Sequence, residues 1–99
     1  PTIDVSALRA AIRHERKITI VYRDGDGKET RRALWPILLG FMERVLVVAA
    51  WCELREDYRS FRVDRILEIE VAEARYPRKR KIMVEEWRAR MDLPATARN

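Results

Sequence analysis

Val5, Leu8 and Ile12 recur at i, i+3 and i+7 behind Asp4 and Ser6, either of which can cap a helix. This spacing predicts an amphipathic helix over about residues 5–14. From Lys17 the period drops to two: Ile18, Ile20 and Tyr22 alternate with Lys17, Thr19, Val21 and Arg23, the pattern of a strand with one buried face. Asp24-Gly25-Asp26-Gly27 reads as a hairpin loop. A second strand is expected over 28–35, ended or pushed to a sheet edge by Pro36, which has no N–H for a ladder, and a third over 38–42. Glu43-Arg44 makes a tight polar turn into the apolar run 45–54, whose two hydrophobic faces predict a central, doubly covered strand.

Glu56-Asp57 reads as the next turn, residues 58–63 as a returning strand, Asp64 to Ile66 as a single helical turn, and Leu67, Ile69 and Val71 as a last alternating strand toward Arg75. Val84, Trp87 and Met91, again at i, i+3 and i+7, predict a second amphipathic helix over about 84–91, with 94–99 as a tail. The fold class is therefore mainly β with flanking helices. About six short strands in so small a chain argue for a small β-barrel spanning about 17–75, because open edges invite pairing with other chains.

Composition fits one folded domain. The 99 residues are 47% hydrophobic and 37% charged, too apolar for a disordered chain and too few for two cores. The single cysteine, Cys52, forms no internal disulfide, and neither a secretory leader nor a run of membrane-spanning length is present, so a cytoplasmic setting away from membranes is expected. Because it begins at Pro1 without an initiator methionine, the chain reads as a processed protein or a piece of a longer one, and the piece is the favoured expectation. There are 21 Lys and Arg against 16 Asp and Glu, and Arg75, Arg78, Lys79, Arg80 and Lys81 account for the whole excess. That acid-free window either follows a nucleic-acid backbone or, more commonly, is a solvated connector.

Catalysis finds little support. With one His, one Cys, no His-Glu-x-x-His pair and no Gly-rich phosphate loop, metal, cofactor and nucleotide-hydrolysing readings lack their residues. His14 falls where a cation complements a helix C-terminus, and Cys52 falls in the most apolar strand, as a core residue.

The informative segment is 51–66. If Glu56-Asp57 is a two-residue turn, counting outward pairs Arg55 with Tyr58, Leu54 with Arg59, Glu53 with Ser60, Cys52 with Phe61 and Trp51 with Arg62. Ala50, Cys52, Phe61 and Val63 then share the apolar face, and Trp51, Glu53, Ser60 and Arg62 the other. A guanidinium beside an indole can grip a phosphate or stack, and the indole can stack on a base. The alternative is a surface cation–π pair with Glu53 neutralising Arg62.

Ala49-Ala50-Trp51-Cys52-Glu53-Leu54-Arg55, followed by Arg59-Ser60-Phe61-Arg62-Val63-Asp64-Arg65-Ile66, closely resembles the WYL domain of bacterial transcription regulators. Residues 8–22 resemble that family's helix and first strand, Arg31-Arg32-Ala33-Leu34-Trp35-Pro36 its Arg-rich approach to a proline, and 82–91 its following helix. The Trp-Tyr-Leu triplet that names the family aligns with Leu46-Val47-Val48, so its aromatic side chains are replaced by aliphatic ones.

The resemblance implies an Sm-like, SH3-type barrel C-terminal to a helix-turn-helix DNA-binding domain. It further implies an anionic effector, nucleic acid or nucleotide, bound by arginines. The matching positions are Arg32, Arg55, Arg59, Arg62 and Arg65, with Ser60 and Trp51 completing the expected pocket. For Arg65, ligand binding and an ion pair with Asp64 are both open. A protein-interaction or oligomerisation module, for example a homodimer, is the competing reading.

Overall fold

The computed structural model describes residues 3–92; the expected tail at 94–99 lies outside them. The order is α1 (Val5–Arg13), β1 (Arg16–Arg23), β2 (Glu29–Met42), β3 (Val45–Cys52), β4 (Asp57–Arg62), a 3-10 turn η1 (Val63–Arg65), β5 (Ile66–Arg75) and α2 (Arg80–Asp92). Asp4 caps α1, its carboxylate accepting the Ser6 N–H at 2.9 Å, and His14 closes the helix by donating its N–H to the Ala10 carbonyl.

The five strands form one antiparallel sheet in the order β4-β3-β2-β1-β5. Two expectations are corrected. The strands foreseen at 28–35 and 38–42 are the single strand β2, which pairs with β1 through Leu34 and with β3 from Leu34 to Met42. Pro36 sits inside it, beyond the reach of β1, where a register shift between Pro36 and Leu38 absorbs the missing N–H. β2 is therefore the central strand, and β3, though covered on both faces as expected, lies one place from the edge.

The sheet has a buried layer on each side. Leu8, Ala11 and Ile12 of α1 pack on Ile18, Ile20, Leu34, Val48, Ala50, Cys52 and Phe61, with Val63 and Ile66 at the η1 end. On the other side Met83 of α2 and Tyr76 pack on Ile37, Ala49 and Tyr58, flanked by Trp35, Trp51 and Trp87. The alternation read along β3 and β4 correctly assigns these faces. Helix α2 is longer than the 84–91 expected, because its first turn is fixed by tertiary bonds: the Arg80 N–H donates to Glu15 Oε2 at 2.7 Å and its guanidinium to the Ile37 carbonyl at 3.0 Å.

The sheet curls strongly. β1 and β4 are three places apart, roughly 14 Å in a flat sheet, yet the Tyr22 and Phe61 rings meet edge-on at 5.1 Å and the Arg62 N–H donates to Tyr22 Oη at 3.2 Å. No ladder joins β4 to β5 among the described residues; η1 connects them, with Val63 and Ile66 buried at the gap.

Candidate functional site

The β3–β4 connection determines how the arginine segment is displayed. Its register pairs Cys52 with Asp57, Trp51 with Tyr58, Ala50 with Arg59, Ala49 with Ser60, Val48 with Phe61 and Val47 with Arg62. The turn is thus the four residues 53–56, with Glu56 at φ 52° and its N–H bonded to the Cys52 carbonyl at 2.8 Å, and not the pair Glu56-Asp57. The slip is four residues in pair sum, an even number, so every side chain keeps its expected face while its cross-strand neighbour changes. Trp51 faces Tyr58, their rings at 5.2 Å, and Arg62 faces Val47, about 13 Å further along the strand.

The seven expected site residues are consequently divided. Ser60 and Arg62 lie on the α2 face. Arg32 and Arg59 lie on the opposite face, where the Arg32 guanidinium sits 5.8 Å from the Phe61 ring centre and 3.6 Å from the Cys52 Sγ. Arg55 is exposed in the turn. Arg65, in η1, stands beside Gly25: a Cβ placed there would be 3.5 Å from Arg65 Nη1. The ion pair foreseen for Arg65 belongs to Arg62, which grips Asp64 through Nε at 3.0 Å and Nη2 at 2.7 Å. Those hydrogen bonds hold the Asp64 carboxyl below its usual range. Glu53, expected to neutralise Arg62, instead accepts from Trp35 Nε1 at 2.7 Å and from Lys17 Nζ at 3.2 Å, which depresses its carboxyl.

Around Ser60 and Arg62 the structure supplies different aromatic partners from the one counted from the sequence. A groove of about 250 Å³ is lined by Leu38, Gly40, Phe41, Met42, Val47, Ala49, Ser60 and Trp87. It continues past Met42 and Val47 into a wider recess of about 490 Å³ bordered by Arg62 and Glu43. Phe41 is 74% exposed and Met42 61%. Trp51, foreseen beside Arg62, is packed between Trp35 and Tyr58, and Trp87 lines the groove in its place. Val47, where the family triplet places an aromatic residue, lines both parts of the groove. Phe41 and Trp87 were missed because neither is near Arg62 in sequence. The signal available was a Phe-Met pair beside a hairpin turn, too polar-flanked for a core.

The basic window is less free than its composition implies. Arg75 pairs with Glu15 at 3.2 Å, Arg78 is clamped on Glu86, and Arg80 is tied to Ile37; Lys79 and Lys81 remain exposed. Glu86 also accepts from Tyr58 Oη at 2.7 Å, and the bonds from Arg78 and Tyr58 lower its carboxyl to about 2. Burial and the bond to Glu86 push the Tyr58 hydroxyl up to about 12. Among the described residues no cluster of His, Cys, Asp and Glu could hold a metal ion, and no helix is long and apolar enough to cross a membrane.

The protein-family model for the WYL domain matches residues 4–71. Among solved structures the chain is similar to proteasome accessory factor B/C (PafBC) of Arthrobacter aurescens, at 24% sequence identity and a TM-score of 0.69. That likeness, one of fold, covers 74% of this chain and 12% of the other. No curated protein matches the chain.

Proposed function

The chain belongs to the WYL domain family, and on that premise we propose that it is the ligand-sensing, non-catalytic domain of a bacterial transcription regulator. The effector is anionic and carries planar rings, a nucleotide or a short single strand of nucleic acid. The groove supports this reading: exposed Phe41 and half-buried Trp87 beside Ser60, opening toward Arg62. Bases stack on aromatic side chains, a hydroxyl selects among polar edges, and a guanidinium binds phosphate. Asp64 occupies two of the Arg62 nitrogens and orients the third, Nη1, while cancelling its net charge, so binding depends on shape and only moderately on salt.

On this reading the curled sheet with η1 across its gap works as an SH3-type, Sm-like barrel. It passes the occupancy of the groove to an N-terminal helix-turn-helix domain of the full-length regulator. Arg32 and Arg59, on the other face, belong to a separate surface, and Arg55 and Arg65 are peripheral.

Titration with short single-stranded DNA, RNA and nucleotides tests the groove. A Phe41→Ala, Arg62→Ala double substitution should weaken the best ligand about tenfold or more, since stacking and charged hydrogen bonds are each worth about 1–3 kcal/mol. Unchanged affinity in that variant would exclude the groove as the site. The exposure of Phe41 and Met42 also favours a second reading, a protein-interaction or homodimer surface. A dilution series in which self-association persists, and is abolished by Phe41→Ala while every ligand fails to bind, would establish that one instead.

A further inference from the structure

A second cleft lies outside the groove, and none of the seven sequence-derived site residues lines it. It measures about 320 Å³ and is lined by Arg9 and Arg13 of α1, Arg80 of α2, and the apolar side chains of Ile12 and Leu39. Three guanidinium groups and, among the described residues, no carboxylate line it. Arg9 and Arg13 are one helical turn apart, a spacing at which like charges repel, and both are exposed with no acidic partner among the described residues. The nearby acid, Glu15, is already committed: one oxygen accepts from Arg75, and the other from the Arg80 N–H. Arg80 is held in place by its Nη1 bond to the Ile37 carbonyl, and its guanidinium has no acidic partner among the described residues.

We propose that this cleft binds a phosphate group. A carboxylate offers two oxygens, which one arginine satisfies bidentately, whereas a terminal phosphoryl group offers three and about two charges, and successive phosphodiesters of a backbone offer two oxygens and one charge each, so either can serve a cluster of three arginines. Ile12 and Leu39 supply the apolar part of the lining between the three arginines. The guanidinium of Arg80 is pre-oriented by its carbonyl bond, so its ordering costs little on binding. The cleft joins the N-terminal helix to the start of α2, and a bound phosphate would bridge the two helices on opposite faces of the sheet.

The phosphate could come from a free phosphoanion or from a nucleic-acid backbone, and two titrations of the 99-residue chain separate these sources. Pyrophosphate and a single-stranded DNA of about 12 nucleotides, a length within the usual site sizes of small barrels, are each followed through backbone amide shifts, in the native chain and in an Arg9→Gln, Arg13→Gln variant. Both substituted residues are exposed, so the variant should keep the native unfolding midpoint. The expected result is pyrophosphate-dependent shifts in α1 and at Arg80, with affinity reduced about tenfold or more in the variant. Shifts there with DNA alone also support the proposal and assign the phosphate to a backbone. Absence of shifts in α1 with either probe, or affinity unchanged in the variant, overturns it. The Phe41→Ala, Arg62→Ala chain serves as the control. If it binds pyrophosphate normally while losing nucleotide, the cleft stands independently of the groove, and if the groove fails altogether this outcome is unaffected.

Discussion

Among the described residues four non-glycine ones adopt left-handed backbone, Glu15, Glu43, Arg44 and Glu56, and they are not equivalent. Glu43 and Arg44, at φ 47° and 74°, are the central pair of the two-residue β2–β3 hairpin between Met42 and Val45, a geometry in which Asn-Gly is favoured. The double substitution Glu43→Asn, Arg44→Gly should stabilise the fold by about 1 kcal/mol, read as a thermal midpoint raised by several degrees. Glu15, at φ 57°, should behave oppositely on replacement by glycine, because its carboxylate accepts from Arg75 and from the Arg80 N–H, and glycine loses both bonds. The Glu43-Arg44 turn was legible because two charged residues interrupt apolar runs. The 53–56 turn was not: 53, 55, 56 and 57 are all charged, and registers differing by an even slip give the same buried and exposed pattern.

At the scale of elements, α2 is fastened to the sheet more by charged and aromatic contacts than by a wide apolar stripe. Glu86 accepts from Arg78 and Tyr58, Arg90 bridges to Asp57 at 2.7 Å and lies over the Tyr58 ring, and the Tyr76 hydroxyl donates to the Pro36 carbonyl at 2.9 Å. Such bonds cannot be read from periodicity, so the sequence places Val84, Trp87 and Met91 on a helix but starts it four residues late. They also give α2 a pH dependence. Glu86 titrates near 2 in the fold against an ordinary 4.5, so its contribution is complete above about 4.5 and is lost as pH falls toward 2. The depressed Glu15, Glu53 and Asp64 carboxyls act in the same direction. Urea midpoints should therefore drop between pH 4.5 and pH 2, and Glu86→Gln should be less stable at neutral pH with a shallower acid decline; an unaltered decline would show that Glu86 is not part of it.

For the molecule as a whole, the sheet is a shared wall: α1 covers one face, α2 the other, and Phe61 lies where the curl brings β4 against β1. Phe61→Ala should cost about 3–5 kcal/mol, a large part of the stability of a domain this size. All three tryptophans are on the α2 side, away from Phe61, so their fluorescence reports the distant layer. Coincident fluorescence and circular-dichroism transitions in that variant would show the two layers melting as one unit, and separated transitions would show that they do not. The net excess of basic residues, concentrated by composition in 75–81, is redistributed by folding. Arg75, Arg78 and Arg80 are tied to neighbours, and the cations left without acids include Arg9 and Arg13 on the first helix.

The bonds made by Glu15 have a bearing on synthesis. Its partners Arg75 and Arg80 follow it by 60 and 65 residues, and the Tyr76 N–H closes on its carbonyl at 2.9 Å. At about 5–20 residues per second a ribosome needs several seconds between making the two halves of this contact. During that interval the end of α1 is held only by its local bonds from His14 and Glu15, and the apolar stripe of Leu8 and Ile12 gains its partners on β1 to β4 one strand at a time. The bonds that tie Glu15 to Arg75, Tyr76 and Arg80 are therefore among the last contacts of the domain that synthesis makes possible, although the helix they adjoin is made before every strand.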